Sequence, residues 1–285
     1  MSGEYSDIMD SEDIEVELFI QGMFFKYGYD FRDYSRAHMK RRIKNRLVLS
    51  DFDNISQMQH RMLTDELYFK SLLPGFSINV TNMFRDPEFF AYIRNEIIPI
   101  LKTYPKVKIW HAGCSTGEEV YSMAIMLIEE GIYDRCTIYA TDFNESILKV
   151  ASQGIFGLDK VKEYTTNYIN SKGKKDFFDY YTEKGSVAIM NQSLKKNIIF
   201  SQHNLVIDQV FGEMQIIICR NVFIYFNNQL QEKVTHLFYQ SLCRGGILCL
   251  GSEETIKSLK ARDEFEVYEE KQKIYRKKLS DRNYR

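Results

Sequence analysis

The second half of the chain alternates between short strand-like runs and helical segments, and this alternation limits the possible folds more than any other feature. The runs are rich in β-branched residues and nearly continuous in apolar residues, as expected of strands buried on both faces. They are "KVKIWHA", "CTIYATD", "NIIFSQH", "MQIIICRN" and "GGILCLGS". Helical patterns over residues 118–130, 145–152 and 229–243 separate most of them. The sequence therefore predicts a doubly wound, mostly parallel α/β sheet.

The N-terminal part of the chain shows helical periodicity only. In "YSRAHMKRRIKNRL", Met39, Ile43 and Leu47 recur at intervals of four residues, which is typical of an amphipathic helix. We therefore expect a helical N-terminal domain over residues 1–73. Proline and glycine then interrupt the pattern, which predicts a linker and a further helix over residues 74–104.

The α/β domain is expected over residues 105–285. Its closing segment, "FEVYEEKQKIYRKK", has the pattern of two strands joined by a polar turn, which predicts an antiparallel hairpin at the C-terminal edge of the sheet. The connection over residues 157–196 is longer than a simple crossover needs. We expect this connection to form a small excursion at the edge of the sheet.

The composition argues against several classes of protein. A net charge of -1 gives no global attraction to nucleic acid or to anionic membranes. No apolar run approaches the roughly 20 residues of a membrane span, and the acidic start of the chain is unlike a signal peptide. The cysteines are scattered and the histidines lack metal-ligand spacing. We therefore expect a cytoplasmic protein without a disulfide or a structural metal.

The turn in "WHAGCSTGEEVYS" joins the first predicted strand to a helix. Glycine turns before a helix N-terminus commonly bind phosphate. This turn has Gly113 and Gly117 instead of the G-x-G-x-x-G fingerprint, and Glu118 stands where a phosphate would lie. A carboxylate repels a pyrophosphate but attracts an ammonium or sulfonium charge. The turn therefore favours a cationic ligand.

The carboxyl ends of the later strands supply side chains that suit a nucleoside. Asp142 ends the second strand, with the spacing of an acid that binds ribose hydroxyls, although it could also belong to the N-cap region of the next helix. Side chains that suit a base edge and a flat ring follow the third and fourth strands: Asn204, Leu205, Asn221, Val222 and Tyr225. This set fits a nucleoside without phosphates, of which S-adenosylmethionine (SAM) is the common one.

Several motifs occur in a fixed order along the chain. They are "NVTNMFRD", "WHAGCSTGEEVYS", "ATDFNESILKVASQGIF", "HNL", "CRNVFIYF" and "KIYRK". Together they resemble the chemotaxis-receptor glutamate methyltransferase family of the CheR type, over nearly the whole chain. The resemblance implies a helical N-terminal domain, a Rossmann-like SAM-binding domain and a small β-subdomain. It also implies SAM-dependent methylation of glutamates on the cytoplasmic helices of chemoreceptors, which yields methyl esters and S-adenosylhomocysteine.

The resemblance also implies roles for individual residues. Asn79, Thr81 and Arg85 would contact SAM from the linker, which with its following helix would cover the cofactor. Arg85 and Tyr225 would lie nearest the transferring methyl group. The other implied SAM-binding positions are Gly113, Glu118, Asp142, Asn204, Leu205, Asn221 and Val222.

These residue types suit methyl transfer to a carboxylate. A glutamate with a pKa near 4.3 is already ionised at pH 7, so the reaction needs alignment and desolvation but no strong general base. A guanidinium such as that of Arg85 can hold a carboxylate in a bidentate geometry, although Arg85 could also be a surface or capping residue. Tyr225 could equally be a core aromatic residue. The chain lacks the Asn/Asp-Pro-Pro-aromatic motif of enzymes that methylate base or amide nitrogens.

The run "RAHMKRRIKNR" places a set of basic side chains on one predicted helix. They are Arg36, Lys40, Arg41, Arg42, Lys44 and Arg46. A solvated helix face and a docking surface for acidic receptor helices are both consistent with this pattern. Nucleic acid is disfavoured because no aromatic residues interleave with the basic ones.

Some members of the resembled family use a glycine-rich loop of the β-subdomain to bind a receptor tail. The matching segment here, residues 180–194, keeps only Gly185, so we expect an enzyme that does not depend on tail tethering. We also expect a monomer. Two alternatives stay open. The chain could methylate carboxylates of another acidic protein or of a small molecule outside chemotaxis, or it could be a regulator that binds SAM without transferring its methyl group.

Overall fold

The computed structural model describes residues 9–76, 81–257 and 259–278. These residues divide into two compact units, one helical and one built on a β-sheet. In the described ranges, no helix is long and apolar enough to cross a membrane.

The helical unit combines the described residues before 77 with the later segment Tyr225–Leu230. Its helices within the first part are α1 (Ser11–Tyr27), α2 (Arg36–Val48), α3 (Ile55–Thr64) and α4 (Glu66–Phe76). The side chains of Asp10 and Asn54 cap α1 and α3 by accepting hydrogen bonds from backbone N–H groups of the first turn. The inward faces of the helices form an apolar core, which includes Phe19, Ile20, Met39, Ile43, Met62 and Phe76.

Helix α4 differs from the sequence pattern at its C-terminal end, because it continues through Pro74 to Phe76 where a linker was predicted to begin. Two arginines of α2 bind carbonyl groups in the last turns of α4. Arg42 donates to the carbonyl oxygen of Gly75 at 3.0 Å, and Arg46 donates to two carbonyl oxygens one turn earlier. The carbonyl group of Gly75 lies in the last turn of α4, where a helix provides no N–H partner, so the bond from Arg42 satisfies it.

The second unit contains the remaining described residues. Its strands are β1 (Val107–Ala112), β2 (Cys136–Asp142), β3 (Ile155–Gly157), β4 (Tyr181–Lys184), β5 (Val187–Met190), β6 (Ile198–Gln202), β7 (Met214–Cys219), β8 (Leu242–Leu250), β9 (Phe265–Glu269) and β10 (Ile274–Lys277). Seven of them form one sheet in the order β6-β2-β1-β7-β8-β10-β9. The first five of these strands are parallel, and β10 and β9 add an antiparallel edge.

The helices that follow α4 in the chain connect and cover these strands. They are α5 (Pro87–Tyr92), α6 (Ile98–Leu101), α7 (Glu118–Glu129), α8 (Glu145–Gln153), α9 (Leu158–Asn170), α10 (Gln192–Lys195) and α11 (Asn228–Ser241). A π-helical turn joins α5 to α6, so the helix predicted after the linker extends to Leu101. Almost every side chain of α7 is buried, as expected of a central helix packed on a parallel sheet. The α/β class, with its helical N-terminal part and antiparallel edge, is confirmed.

A second, three-stranded sheet has the order β3-β5-β4 and is antiparallel throughout. It includes the chain between α9 and α10, where the sequence predicted an excursion. Lys184 pairs with Val187 across a turn that contains only Gly185 and Ser186. Gly185 has a φ of 60°, which suits a tight hairpin turn. Within residues 180–194, the connection between β4 and β5 is therefore a two-residue hairpin turn.

Candidate functional site

The loop after β1 turns sharply at the end of the central strand. The N–H groups of Gly113 and Cys114 both donate to the carbonyl oxygen of Thr141 at 2.8 Å, which ties this loop to β2. Gly113 has a φ of 81°, and a Cβ atom at this position would lie 2.7 Å from Cγ2 of Val222. Only glycine fits both the backbone conformation and the space. Two predicted site positions, Gly113 and Val222, are thus immediate neighbours.

Asp142 ends β2 and connects two loops at this edge of the sheet. Its Oδ2 accepts a hydrogen bond from the N–H of Ser115 at 3.1 Å, and its Oδ1 accepts one from the N–H of Asn144 at 3.0 Å. The side chain is buried, and burial raises the pKa of this carboxyl although the backbone N–H groups act in the opposite direction. A third backbone hydrogen bond, from Phe143, also acts on this carboxylate and lowers its pKa.

Glu118 is the first residue of α7 and is only 1% exposed. The hydroxyl of Thr116 donates to its Oε2 at 2.5 Å, and the hydroxyl of Tyr164 donates to its Oε1 at 3.3 Å. Burial raises the pKa of Glu118, and these hydrogen bonds offset only part of that effect. A ligand cation beside it would favour the ionised carboxylate and would gain a strong partner.

The loops after β6 and β7 contribute the predicted amide positions. The Oδ1 of Asn204 accepts a hydrogen bond from the N–H of Val206 at 2.9 Å, so this side chain shapes its own turn. Leu205 is buried beside it. Asn221 adopts a left-handed backbone with a φ of 61°, and its N–H donates to Glu254 at 2.9 Å. Both asparagines therefore lie in loops with a well-defined backbone.

Arg85 lies in the segment that precedes α5. Its neighbours Phe84 and Asp86 both have left-handed backbones, with φ values of 50° and 57°. The Phe84 side chain is fully buried, and its N–H donates to the hydroxyl of Ser122 on α7 at 2.8 Å. Thr81 lies at the start of the same segment and is partly buried. The predicted contact from Asn79 falls on a residue outside the described ranges.

Tyr225 belongs to the helical unit. Its carbonyl oxygen accepts a hydrogen bond from the N–H of Ser35 at 2.8 Å. The guanidinium of Arg42 lies 5.4 Å from the centroid of its ring, within reach of a cation–π interaction, and the ring of His38 lies at the same distance. The predicted proximity of Tyr225 to Arg85 stays a prediction, because the two residues belong to different units.

The basic side chains of α2 have several distinct environments. Arg36 pairs with Glu17, and Lys40 pairs with Glu12 and Asp13, all on α1. These pairs are at least partly exposed to solvent, so each contributes little to stability.

The remaining basic residues of α2 also have different environments. Lys44 also pairs with Glu12. Arg42 and Arg46 bind carbonyl groups of α4, as described above. Arg41 is exposed. The predicted docking face is therefore partly committed to holding the helical unit together.

An ionic network centred on the buried side chain of Arg220, which sequence reasoning missed, lies beside the predicted site. The Nη1 of Arg220 donates to Glu119 at 2.9 Å, its Nη2 donates to Asp86, and the Nδ1 of His111 lies 3.1 Å from Glu119. Burial would raise the pKa of Glu119, but the hydrogen bond with His111 and the charge of Arg220 lower it below its ordinary value. In the sequence, Glu119 directly follows Glu118 and Arg220 directly precedes Asn221. This adjacency to predicted site residues was the sequence feature that could have identified them.

Glu254 is a second missed residue. It is buried after β8 and accepts hydrogen bonds from the N–H groups of Gly251 at 2.5 Å, Asn221 at 2.9 Å and Ile224 at 3.3 Å. Burial raises its pKa, and these N–H groups offset part of that increase. One carboxylate thus shapes the loop that carries Asn221 and Val222.

The structure places most of the predicted cofactor-binding residues along one edge of the sheet. They are Gly113, Glu118, Asp142, Asn204, Leu205, Asn221 and Val222. This is the edge where the carboxyl ends of parallel strands meet and where α/β proteins bind ligands. Within the described residues, no group of histidines, cysteines and acidic residues could hold a metal ion. All five cysteines are buried and free.

Comparisons with known proteins identify the family of the chain. The family described as "CheR methyltransferase, SAM binding domain" matches residues 79–274, and the one described as "CheR methyltransferase, all-alpha domain" matches residues 14–74. The chain belongs to the CheR methyltransferase family. It therefore contains the SAM-binding domain of a methyltransferase, behind an all-helical domain.

Individual relatives of this CheR methyltransferase family member differ in their similarity. A Pseudomonas putida protein named Cher3 is 48% identical over 265 residues, which cover 93% of this chain and 97% of that protein. A Listeria monocytogenes protein named chemotaxis protein methyltransferase is 29% identical, over 80% of this chain and 85% of its own length. The solved structure of SAM-bound CalS10, an amino pentose methyltransferase from Micromonospora echinaspora, is 10% identical with a TM-score of 0.35, over 60% of this chain and 51% of that one.

Proposed function

We propose that the protein is a SAM-dependent protein-glutamate O-methyltransferase that converts glutamate side chains of chemoreceptors to methyl esters. The observation that carries the proposal is the pair of buried carboxylates, Glu118 and Asp142, at the ligand-binding edge of a CheR-family SAM-binding domain. The substrate class rests on the names of relatives such as the Listeria monocytogenes protein, which is named a chemotaxis protein methyltransferase.

The residues present suit SAM. Glu118 is a buried carboxylate with a raised pKa at a helix start, which suits the ammonium group of the methionine portion. Asp142 is a buried carboxylate at the end of β2, and its oxygens would accept hydrogen bonds from the ribose hydroxyls in addition to those from the backbone. Gly113 and Val222 are close neighbours, since a Cβ atom added at Gly113 would collide with Val222. The glycine backbone and the apolar Val222 side chain would together contact the flat adenine base. Asn204, Leu205 and Asn221 complete the proposed adenine site.

When bound, SAM supplies a methyl group on a positively charged sulfur that accepts the electron pair of the bond that breaks. The substrate glutamate is ionised at neutral pH, so one of its oxygens can attack the methyl carbon directly. Arg85 would hold that carboxylate by paired hydrogen bonds, and the hydroxyl of Tyr225 would help to orient it. Thr81, Asn79 and Arg85 would also contact SAM from their segment. The proposed contribution of these residues is alignment and exclusion of water.

The proposed substrate is an acidic receptor helix that docks on α2. Arg41 is exposed, and Arg36 and Lys44 retain about half of their side-chain exposure although they pair with α1. A glutamate-rich partner could recruit these three side chains by charge complementarity. Lys40, Arg42 and Arg46 would contribute from positions that also stabilise the helical unit. We propose no nucleic-acid partner.

The two-residue turn at Gly185 supports a mode of action that does not depend on a receptor tail. We propose that the protein acts as a monomer in the cytoplasm and reaches receptor helices directly. Receptors with and without their C-terminal tail should therefore be methylated at similar rates, which a side-by-side labelling assay would measure.

The proposed function is tested by incubating the protein with SAM labelled in its methyl group and with receptor-containing membranes. We expect label on a receptor-sized band that mild base releases as methanol. Label that resists base would rule out an ester, and label on a different protein or on a small acid would support the alternative substrate class.

A regulator that only binds SAM makes a different prediction. In that case no protein would be labelled, and the variants Arg85→Ala and Tyr225→Phe would leave both SAM affinity and regulatory output intact. Under the proposed function, both variants should transfer the methyl group much more slowly than the wild type but still measurably, and Tyr225→Phe should retain most of its SAM affinity.

A further inference from the structure

We infer that Arg220 is a positioning residue that fixes the conformation of the segment carrying Arg85. The inference rests on the proposed function for the role of Arg85 in methyl transfer. The contacts of Arg220 with Arg85 and Asp86 are independent of that function, because the structure contains them. Arg220 follows β7, immediately before Asn221, and its side chain is 2% exposed.

Arg220 joins three parts of the second unit through its guanidinium. Its Nη1 donates to Oε2 of Glu119 in the first turn of α7 at 2.9 Å and lies 3.3 Å from the carbonyl oxygen of Arg85. Its Nη2 donates to the carboxylate of Asp86. Its face lies 4.1 Å from the centroid of the Phe89 ring on α5. One side chain thus contacts the residues on both sides of the Arg85–Asp86 peptide bond.

The segment needs such support because its backbone is unusual. Phe84 and Asp86, the residues that flank Arg85, both occupy the left-handed region, which side chains other than glycine seldom adopt. Such conformations persist only where the surroundings hold them, and they concentrate at functional sites. Ser122 holds the Phe84 side of the segment through the N–H of that residue. Arg220 holds the Asp86 side.

The charges around Arg220 explain why an arginine suits this position. Glu119 and Asp86 supply two carboxylates in different directions, and the planar fork of a guanidinium can bind both while it stacks on Phe89. His111 binds the other oxygen of Glu119 and keeps that carboxylate in place. A lysine at position 220 would have a single nitrogen for the same partners and no planar face for the ring.

The functional consequence follows from the sensitivity of methyl transfer to alignment. A misplacement of about 1 Å can reduce the rate roughly 100-fold even when the altered residue does not touch the substrate. If Arg220 acts through Arg85, Arg220→Gln should lower kcat by about 10- to 100-fold. Arg220→Lys should lie between this variant and the wild type. The Kd for SAM, measured by calorimetry, should change much less than kcat.

The kinetic test compares single and double variants in the labelling assay with receptor-containing membranes. The double variant Arg85→Ala/Arg220→Gln should be no slower than Arg85→Ala alone, since the role of Arg220 disappears once Arg85 is gone. Losses that multiply in the double variant would show that Arg220 acts independently of Arg85 and would overturn the inference.

A second arm needs no methyl transfer at all. Amide hydrogen exchange of the peptide covering residues 81–89 should become faster in Arg220→Gln while β8 and β10 keep their protection. The matched control is Arg94→Gln, which removes another buried arginine with two carboxylate partners, Glu129 and Glu130. It should lower the melting temperature without selectively exposing residues 81–89.

The two arms distinguish failure of the inference from failure of the proposed function. If the wild-type protein labels no receptor, the proposed function fails, and the exchange result still decides whether Arg220 fixes the segment. Unchanged exchange over residues 81–89 in Arg220→Gln, or faster exchange spread evenly over the whole unit, would overturn the inference.

Discussion

Each carboxylate oxygen of Asp142 accepts a hydrogen bond from a backbone N–H, so at the scale of a single residue this side chain serves both the loop structure and the proposed ligand site. In Asp142→Asn the amide nitrogen cannot accept one of these two bonds, so the melting temperature of the ligand-free protein should fall. The same variant should weaken SAM binding roughly 10- to 100-fold, because the amide nitrogen cannot accept a hydrogen bond from a ribose hydroxyl. Calorimetric titration with SAM measures the Kd.

The matched control for this variant is Asp134→Asn, which changes an exposed aspartate in the same unit that pairs with Lys196. It should leave the Kd for SAM unaltered. Equal Kd values for the Asp142→Asn variant and the wild type would contradict the role that we assign to Asp142.

Glu119 and Glu254 should respond to pH in opposite ways. The pKa of Glu119 is lowered in the folded protein, so the stabilisation it provides is complete above its unfolded pKa, near 4.5, and is lost as pH falls through the folded value. The melting temperature of Glu119→Gln should therefore be furthest below that of the wild type at neutral pH, and the gap should narrow below about pH 4.5.

The pKa of Glu254 is raised, which reverses the sign of its contribution. Stability from Glu254 is complete below the unfolded value of 4.5 and decreases as pH rises toward its folded pKa. As pH increases, the melting temperature of Glu254→Gln should therefore rise relative to that of the wild type. Thermal melts of both variants from pH 4 to pH 7 test the two slopes, and slopes of the same sign would contradict the assignment.

Single residues also show where sequence reasoning succeeded and where it stopped. Glu118 and Asp142 could be predicted because each follows a strand or a glycine turn directly, and local order in the chain fixes their place at the sheet edge. Arg220 could not be paired with Asp86 in the same way. The two residues are 134 positions apart, and nothing in the local pattern of either segment specifies the partner.

At the scale of elements, the turn between β1 and α7 depends on a glycine for both conformation and space. Gly113→Ala should disturb Val222, because the added Cβ would lie 2.7 Å from its Cγ2. The matched control is Gly131→Ala, where φ is also positive, at 70°, but no atom lies within 4 Å of the added Cβ. Both variants should lose about 1 kcal/mol from the left-handed backbone. We expect only Gly113→Ala to weaken SAM binding as well.

The double variant Gly113→Ala/Val222→Ala tests this explanation, because the smaller side chain leaves room for the new methyl group. Calorimetry should show that it recovers part of the SAM affinity lost in Gly113→Ala. Equal losses of affinity in Gly113→Ala and Gly131→Ala would show that backbone strain alone accounts for the effect.

The elements themselves were predictable to different degrees. The parallel strands could be predicted because a strand buried on both faces needs a continuous apolar run, as in β7 (Met214–Cys219). The C-terminal end of α4 could not, because Pro74 and Gly75 both favour a break. Arginine side chains from α2 bind carbonyl groups in the last two turns of α4, and the local sequence does not reveal such tertiary contacts.

At the scale of the whole molecule, the chain assigns different tasks to its two units under the proposed function. The second unit would bind SAM through the residues that we propose, and the helical unit contains the basic helix α2. If α2 recognises an acidic receptor helix, Arg41→Glu should raise the KM for receptor several-fold, and more strongly at low than at high ionic strength. The melting temperature and the Kd for SAM should stay at wild-type values, because Arg41 is exposed on the helical unit.

The charge-matched control is Lys70→Glu, which reverses an exposed cation on α4 of the same unit. Kinetics with receptor-containing membranes at two salt concentrations compare both variants with the wild type. Arg46→Gln gives a third reference, since the loss of its hydrogen bonds to α4 should lower the melting temperature as well. If Arg41→Glu and Lys70→Glu raised KM equally, net charge would explain the effect and α2 would not be the docking surface. A rise confined to Arg41→Glu would place receptor recognition on α2.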